Sequence, residues 1–363
     1  MPEGFCVKIS NMKYISLGNI CWPNRSRKNL IIAGAGLFVL LILVVWLLLT
    51  FGNVKTDVNF LTVNHGPKFF SVLDGLPVTS TEAQTPGVVA VMIDNFPVAR
   101  PQYGLAQAKV VYEVPVEGGL TRFMAMFDRG TNIARVGPVR SARPYFLDWQ
   151  AEYGKPLYMH SGGSPEALSL IKKSDYFDAN EFYFGQYYWR TSDSYAPHNL
   201  FTSSELWNKL ALKFSTTTIV WSGRKFDNNA PASSSPASSV LIKYNSGYHI
   251  GWKFDSSQSV YERLLNNVLY SDASSEIINA NNVVIQYVKI RSLDEVDRKE
   301  IVTIGSGSAR VLRDGRIIYA QWQKDATESR TIFSDLNGEE IKFKPGVTWI
   351  QIVPWEVVVE VIN

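Results

Sequence analysis

The sequence contains very little cysteine. Its two cysteines, Cys6 and Cys21, lie close to the N-terminus, so the rest of the chain can form neither an internal disulfide nor a thiolate metal site. An excess of charge of one sign is also lacking. The formal net charge is only +3, and no basic stretch is interleaved with aromatic residues, which argues against a nucleic-acid partner.

Histidine is scarce as well, and the usual cofactor motifs are missing. The chain has 4 histidines, none in an HxH or HExxH pattern, and it has neither Walker nor dinucleotide-binding glycine spacing. Zinc requires three or four ligands in a definite geometry. The best candidate ligand set in the sequence is His160, His198 and Asp94, which lie far apart in the chain. We therefore expect no metal and no cofactor.

A long apolar run is the first positive feature. Residues Ile31 to Phe51 carry no charge, and as a helix they would span roughly 30 Å, about one bilayer core. Neither a signal cleavage site nor a cysteine follows, and lysine and arginine predominate on the N-terminal side. We predict a single-pass plasma-membrane protein with a cytoplasmic tail (1–28), an anchor (29–51) that contacts lipid through residues 31–51, and a stalk (52–69).

The outer part has the pattern of an α+β protein. Residues 70–215 are predicted to form a mixed α/β domain. It has strands at Val88–Ile93, Val110–Val116 and Arg122–Phe127, a helix capped by Ser164, and another that begins at the capping box Thr202–Glu205 and continues to about Lys213.

The second half changes character after a low-complexity break at residues 228–239. Residues 216–363 are predicted to be a mainly β domain, with Asp-Gly and Asn-Gly hairpin turns at residues 314–315 and 337–338. The predicted strands are Val240–Tyr244, His249–Phe254, Val283–Ile290, Ile301–Ile304, Ala309–Leu312, Ile317–Trp322 and Thr348–Val353.

The densest group of unusual polar residues lies between Arg135 and Glu166. Arg140 and Arg143 are three residues apart and would share one face of a helix. Guanidinium groups bind carboxylate or phosphate in a fixed fork, so an anion site is one interpretation. An ion-pair network with Glu113, Glu117 or Asp148 is the alternative.

A possible anion cradle follows the arginines. His160 closes a predicted strand, and Gly162, Gly163 and Ser164 lead into a helix N-terminus, where backbone N–H groups and the helix dipole favour negative charge. The alternative is an ordinary strand-to-helix turn. With the residues expected on its rim, the predicted ligand-binding set is Arg122, Arg140, Arg143, His160, Gly162, Gly163, Ser164, Arg190, His198 and Asn199.

Five residues are candidates for acid–base chemistry. Asp94 follows the first strand and either is functional or makes an Asx turn. Glu113 and Glu117 would share one strand face about 13 Å apart, which is far for a glycosidase pair, and Pro115 between them suggests an edge strand. The complete set of catalytic candidates is Asp94, Glu113, Glu117, His160 and His198.

These motifs resemble the YerB-like family of bacterial lipoproteins, a two-domain family of unknown function. The resemblance covers about residues 70–355 and implies an envelope-attached, extracytoplasmic protein with no established chemistry. Lipoprotein members carry a lipid-modified cysteine after the signal, and here a transmembrane helix would take its place. The matching stretches include LDGLPV (73–78), MIDNFPVARPQYGLAQAKVVYEVPVEGGLTRFMAMF (92–127), VGPVRSARPYFLDW (136–149), HSGGSPEA (160–167) and APHNLFTS (196–203), and in the second half YERLL, NNVVIQ, VTIGSGSARVLRDG and NGEEIKFKPGVTWIQIVP.

Three functions fit the sequence. The first is binding of an anionic envelope ligand, a peptidoglycan carboxylate or a wall phosphate, through an Arg/His pocket. The second is an envelope hydrolase on glycan or phosphodiester. The third is a scaffold that presents a β surface to an envelope protein. The pattern leaves open whether the protein is an enzyme.

Overall fold

The computed structural model describes residues 14–17, 20–23, 40–47, 50, 67–214, 221–229 and 234–362. The chain divides into two compact units, Met1–Asn64 and His65–Asn363. In the first unit, strands β1 (Tyr14–Leu17) and β2 (Ile20–Pro23) pair antiparallel. Residues 40–47 of the same unit are helical.

The predicted membrane anchor lies largely outside the described residues, because only 40–47 and 50 of its segment are described. In the described part of the chain, no helix combines the length and apolarity that are needed to cross a membrane. Most of the predicted tail (1–28) and stalk (52–69) also lies outside the described part.

The second unit begins with a mixed region, as predicted. Its strands are β3 (Phe69–Phe70), β4 (Pro77–Val78), β5 (Val88–Ile93), β6 (Val110–Pro115), β7 (Thr121–Asp128), β8 (Leu157–His160), β9 (Phe177–Asn180), β10 (Trp189–Arg190) and β11 (Leu200–Phe201). Its α-helices are α1 (Pro144–Gln150), α2 (Pro165–Lys173), α3 (Glu181–Phe184) and α4 (Ser204–Ala211). Short 3₁₀ turns occur at Glu82–Gln84, Pro97–Ala99, Leu105–Gln107, Glu117–Gly119, Ala151–Tyr153, Gly185–Tyr187 and Leu212–Phe214.

The described remainder of the unit is built from strands, which confirms a β-rich C-terminal region. They are β12 (Ser235–Pro236), β13 (Ser239–Asn245), β14 (Tyr248–Asp255), β15 (Val260–Leu265), β16 (Val268–Leu269), β17 (Asn279–Ala280), β18 (Asn282–Val288), β19 (Ile290–Ser292), β20 (Lys299–Ile301), β21 (Gly305–Arg313), β22 (Arg316–Lys324), β23 (Ile332–Asp335), β24 (Thr348–Pro354) and β25 (Val359–Ile362).

One large sheet runs through both regions. Among the described residues it has 11 strands in the order β12-β22-β21-β18-β24-β6-β7-β5-β8-β9, with β23 paired to β22. The junction is a parallel pairing of β24 with β6, in which Thr348 lies opposite Val110 and Gln351 opposite Glu113. A second sheet in this part of the chain has 6 strands, in the order β16-β15-β14-β13-β25 with β17 on β15.

The prediction that Pro115 marks an edge strand is wrong, because β6 lies between β24 and β7. The ladder between β6 and β24 ends at Glu113, so the missing N–H of Pro115 falls beyond it. The prediction that Glu113 and Glu117 share a strand face is also wrong. The strand ends at Pro115, and Glu117 begins a 3₁₀ turn.

The continuous apolar sequence of β5 follows from burial on both faces of the sheet. Val89, Val91 and Ile93 pack into one hydrophobic cluster. Val88, Ala90 and Met92 pack into the other. Alternate residues of a strand point to opposite faces, so a strand covered on both sides has no polar alternation.

Local sequence signals set the ends of several elements. The Ser164 hydroxyl caps α2 by accepting from the Ala167 N–H, with Pro165 in the first turn as predicted. Helix α4 is capped by Ser203, one residue later than the capping box predicts, and its α-helical part ends at Ala211. The β21–β22 turn has positive φ at Asp314 (53°) and Gly315 (69°), which suits the predicted Asp-Gly pair.

Candidate functional site

The C-terminal end of β5 places a buried carboxylate beside two basic side chains. Asp94 is only 4% exposed, and its Oδ2 lies 2.6 Å from His198 Nδ1 and 3.1 Å from Arg140 Nε. Its Oδ1 accepts from the Phe96 N–H at 3.1 Å, so the Asx turn is also present. Asp94 therefore both shapes the turn and joins the polar group.

The arginine segment reaches Asp94 because it runs along the end of β5. The Asp94 N–H donates to the Pro138 carbonyl at 2.8 Å, and the Arg140 N–H donates to the Met92 carbonyl at 2.9 Å. Gly137 permits this path with a φ of 143°, a backbone conformation that other residues rarely adopt.

A second ion-pair group lies beside the first. The Nε of Arg143 donates to Glu117 Oε1 at 2.5 Å, and Arg122 Nη2 lies 4.0 Å from Glu117 Oε2. Nη1 of Arg122 donates to the Ser141 carbonyl at 2.8 Å. Among the described residues, Nε of Arg122 is buried without a hydrogen-bond partner. Arg122 is only 6% exposed, so its guanidinium is both buried and incompletely paired.

Both groups border one cavity of about 440 Å³, a size typical of small-molecule sites. Gly163, Ser164 and Pro165, at the N-terminus of α2, also line it, so the cavity combines arginines with a helix N-terminus. Its other lining residues are Asp94, Phe96, Val116, Glu117, Leu120, Thr121, Arg122, Arg140, Ser141, Arg143, Val296 and Arg298.

Burial and neighbouring charge shift the ionisation of the groups in this cavity. Burial, and then the positive charge of Arg143, lower the pKa of Arg122 to about 10. Burial raises the pKa of Glu117, but the hydrogen bond and charge of Arg143 outweigh that effect and leave the pKa below its usual value. Arg122 is therefore charged at neutral pH, and its environment penalises that charge.

His160 is placed differently from the expectation of a ligand contact. Its ring is fully buried, with Nδ1 2.7 Å from the Gly162 carbonyl oxygen and Nε2 2.8 Å from Asp178 Oδ1. The Gly162 N–H donates to Asn180 Oδ1 at 3.0 Å. His160 and Gly162 do not line the cavity, whereas Gly163 and Ser164 do. The hydrogen bonds of His160 and Gly162 instead shape the loop.

Arg190 and Asn199 form a separate group. Arg190 Nη1 donates to Asn199 Oδ1 at 3.0 Å, and Nη2 lies 3.3 Å from Glu181 Oε1. Arg135, the first arginine of the dense segment, stacks its guanidinium 3.7 Å from the centroid of the Tyr103 ring. None of these side chains lines the cavity.

Glu113 is enclosed in the protein interior and does not reach the cavity. It is 0% exposed and accepts hydrogen bonds from Thr121, Tyr248, Trp349 and Arg263. Of the five catalytic candidates, only Asp94 and Glu117 line the cavity, and His198 contacts it through Asp94. In the described part of the chain, no group of three or more His, Cys, Asp and Glu residues could hold a metal.

Comparison with known proteins agrees with the resemblance that the motifs indicate. Two family models match the chain, both described as "Protein of unknown function (DUF3048)". The model of the N-terminal domain matches residues 73–217, and that of the C-terminal domain matches residues 240–350. The "Putative lipoprotein YerB" of Bacillus subtilis (strain 168) is 30% identical over 278 residues, which are 73% of this chain and 81% of that protein. The chain belongs to this YerB-like family.

A solved structure supports the same assignment for the fold. The crystal structure of the YerB protein from Bacillus subtilis matches with a TM-score of 0.72 and 28% identity, covering 81% of this chain and 100% of the other. The cavity is lined by residues of both family domains. The N-terminal domain supplies Asp94 and the arginines, and the C-terminal domain supplies Val296 and Arg298.

Sequence reasoning missed the residues that complete this cavity. Val296 and Arg298 lie in the turn between β19 and β20, and nothing in their local pattern indicates contact with residues 94–165. Phe96 and Leu120 were missed because isolated apolar residues beside turns are common on protein surfaces. The phenylalanine in the DNFP stretch was the one available signal, since it lies two residues after Asp94.

Proposed function

We propose that this YerB-like protein is attached to the cell envelope and binds an anionic ligand in the cavity at Arg122, Arg140 and Arg143. The observation that carries the proposal is the incomplete pairing of Arg122. A buried charged group normally has its hydrogen bonds satisfied, and an unsatisfied one is costly.

The geometry of Arg122 favours an acid group with two oxygens. Nη1 is held by the Ser141 carbonyl, whereas Nε has no partner in the described structure and Nη2 has only Glu117 at 4.0 Å. Nε and Nη2 lie on the same edge of a guanidinium, the edge that binds carboxylate or phosphate through two parallel hydrogen bonds. A bound anion would also offset the burial and the repulsion from Arg143 that lower the pKa of Arg122.

The envelope location rests on two observations. The uncharged run of residues 31–51 has the length and flanking charges of a membrane anchor, with the N-terminus inside. The relative from Bacillus subtilis carries the name "Putative lipoprotein YerB". A peptidoglycan carboxylate or a wall phosphate is then an available anion, because the cavity would face the envelope.

A matched pair of variants tests the proposal. Acetate and inorganic phosphate are titrated into the purified full chain by calorimetry, together with Arg122→Met and Arg190→Met. Each charge-assisted hydrogen bond is worth about 1.5–3 kcal/mol, so Arg122→Met, which removes both donors, should weaken binding by at least roughly ten- to hundred-fold. Arg190→Met, outside the cavity, should bind as the parent does.

Stability measurements distinguish this loss from unfolding. Arg122→Met removes an incompletely paired buried charge, so its melting temperature should equal or exceed that of the parent. Equal anion affinity in the parent and Arg122→Met would refute the proposal, as would the absence of binding of either anion.

Hydrolysis of a glycan or phosphodiester is a second candidate, favoured by the Asp94–His198 pair. A carboxylate 2.6 Å from one ring nitrogen can orient an imidazole as a general base. If the candidate is right, the full chain should release soluble fragments from peptidoglycan, and His198→Gln should abolish the release. Failure of the parent to release fragments would eliminate glycan hydrolysis and leave anion binding in place.

A further inference from the structure

We propose that the cavity selects a monoanion with a short apolar group next to the charge, and that the β19–β20 hairpin supplies the selective surface. This inference rests on the anion binding proposed above. It adds the chemical class of the ligand, and it assigns a role to a segment of the C-terminal domain that no sequence motif indicates.

The charges around the cavity favour a monoanion. The arginines that line it are Arg122, Arg140, Arg143 and Arg298. The carboxylates that pair with them are Asp94 with Arg140, Glu117 with Arg143, and Asp294 with Arg298 at 2.5 Å. Arg122 has only a share in Glu117, at 4.0 Å, so the four arginines exceed their three carboxylate partners by one positive charge. A carboxylate or a phosphodiester would neutralise it, whereas a phosphate monoester dianion would leave an excess negative charge.

Part of the cavity lining is apolar, which a small inorganic anion would not need. Phe96 and Leu120 line it from the N-terminal domain, and Val296 lines it from the hairpin. Phe96 is 46% exposed, and its ring is stacked on His198 with centroids 5.0 Å apart and planes at 18°. The Phe96 ring thus rests on an imidazole that is itself held by Asp94.

The hairpin tip is held firmly while Val296 stays uncovered. Asp297 Oδ2 accepts from the Gly118 N–H at 3.1 Å, which fastens the tip to the turn that carries Glu117. The Leu293 N–H donates to the Arg298 carbonyl at 2.7 Å and closes the turn. Val296 is nevertheless 67% exposed. An apolar side chain on a fixed turn beside an anion cavity is suited to contact the apolar part of a ligand.

Two chemical classes fit this description, carboxylates and phosphodiesters, and the experiment distinguishes between them. Affinities of the full chain are measured by calorimetry for acetate against hexanoate, and for dimethyl phosphate against dibutyl phosphate. Each buried methylene group raises the affinity about four-fold. Partial burial of the longer chain should therefore make the longer anion of the bound class bind at least about ten-fold more tightly than the shorter one.

Val296→Ser tests the hairpin, and Val268→Ser is its control because Val268, on β16, is 68% exposed and does not line the cavity. Val296→Ser should reduce the preference for the longer anion by roughly three-fold, since one apolar contact is lost, and Val268→Ser should leave it unchanged. Arg122→Met should weaken both members of a pair equally.

The outcomes separate this inference from the proposed function. Equal affinity for short and long anions, with binding still dependent on Arg122, would overturn the inference and leave anion binding intact. A chain-length preference that Val296→Ser does not change would overturn the role of the hairpin. No binding of any of the four anions would overturn both proposals.

Discussion

Glu113 and Arg263 form an ion pair in which neither side chain is exposed. Nη2 of Arg263 lies 2.9 Å from Oε1 of Glu113, and Nε lies 3.2 Å from Oε2. Glu113 is on β6, in the residues matched by the N-terminal family domain, and Arg263 is on β15, in the C-terminal one. The pair therefore joins the two family domains within one unit, and Glu113 has a structural role.

Removing the charge of Glu113 should destabilise the whole unit. In Glu113→Gln the Arg263 guanidinium stays buried without a counterion, a loss of about 3–5 kcal/mol. Urea denaturation measures it as a lower free energy of unfolding. The double variant Glu113→Gln/Arg263→Met should recover part of the loss, because no buried charge is left. An unchanged midpoint in the single variant would contradict the structural role.

His160→Ala should reduce stability without weakening anion binding. The variant loses the bonds to the Gly162 carbonyl and to Asp178 and leaves a void, so we expect a loss of about 1–3 kcal/mol in the free energy of unfolding. Anion affinity should stay within about two-fold of the parent, since small indirect shifts are worth only tenths of a kcal/mol. Weaker anion binding at unchanged stability would instead make His160 a ligand contact.

Gly137→Ala should displace the arginine segment. An added Cβ would lie 2.8 Å from the Leu200 carbonyl oxygen and 2.9 Å from the Val139 nitrogen, at a φ of 143°. We expect a loss of stability of about 1–3 kcal/mol together with weaker anion binding, because Arg140 follows three residues later. Gly185→Ala is the control, since a Cβ there meets nothing within 4 Å. Parental stability and affinity in Gly137→Ala would show that the backbone path is not required.

The ion pair of Glu117 with Arg143 predicts a pH dependence of stability. Burial opposes ionisation of Glu117, but Arg143 lowers its pKa below the usual 4.5. The pair's contribution is thus fully present above that usual value and is lost as the pH falls through the lower folded pKa. The stability difference between the parent and Glu117→Gln should be constant from pH 5 to 7 and shrink below about pH 4. A difference that grows as the pH falls would contradict this sign.

Local patterns predicted the parts of the fold that depend on local physics. The apolar run of β5, the cap of α2 and the Asp-Gly turn at Asp314 were predicted correctly, because each depends on residues next to one another. Trp322 and Trp349 lie on two of the predicted strands, and they are 2% and 1% exposed.

The sequence did not predict features that depend on distant contacts. Strand β15 (Val260–Leu265) contains Glu, Arg and Leu, which favour helices, yet it pairs with β14 along its length. The burial of Glu113 depends on Arg263, and the cavity is completed by the hairpin turn at residues 293–298. Neither relationship leaves a spacing signal, because its partners are far apart in the chain.

For the candidate site, the sequence located the arginines and Asp94 but not their surroundings. Arg140 and Arg143 both line the cavity, and each also pairs with a carboxylate, so the two interpretations of the segment hold together. Because Arg140 and Arg143 have these carboxylate partners, Arg122 is the arginine with donors left for a ligand. Arg122, on β7, belongs to the predicted ligand-binding set, but its incomplete pairing depends on contacts with Glu117 and Ser141 that the sequence does not reveal.

The parallel contact of β6 with β24 also constrains how the protein matures. Val110 lies opposite Thr348, so a strand that is synthesised early is completed by one that is synthesised much later. Until residues 348–354 arrive, β6 presents an open apolar edge, which is prone to pairing with other chains. A chain truncated before residue 348 would therefore leave this edge of the sheet open and would be prone to aggregate.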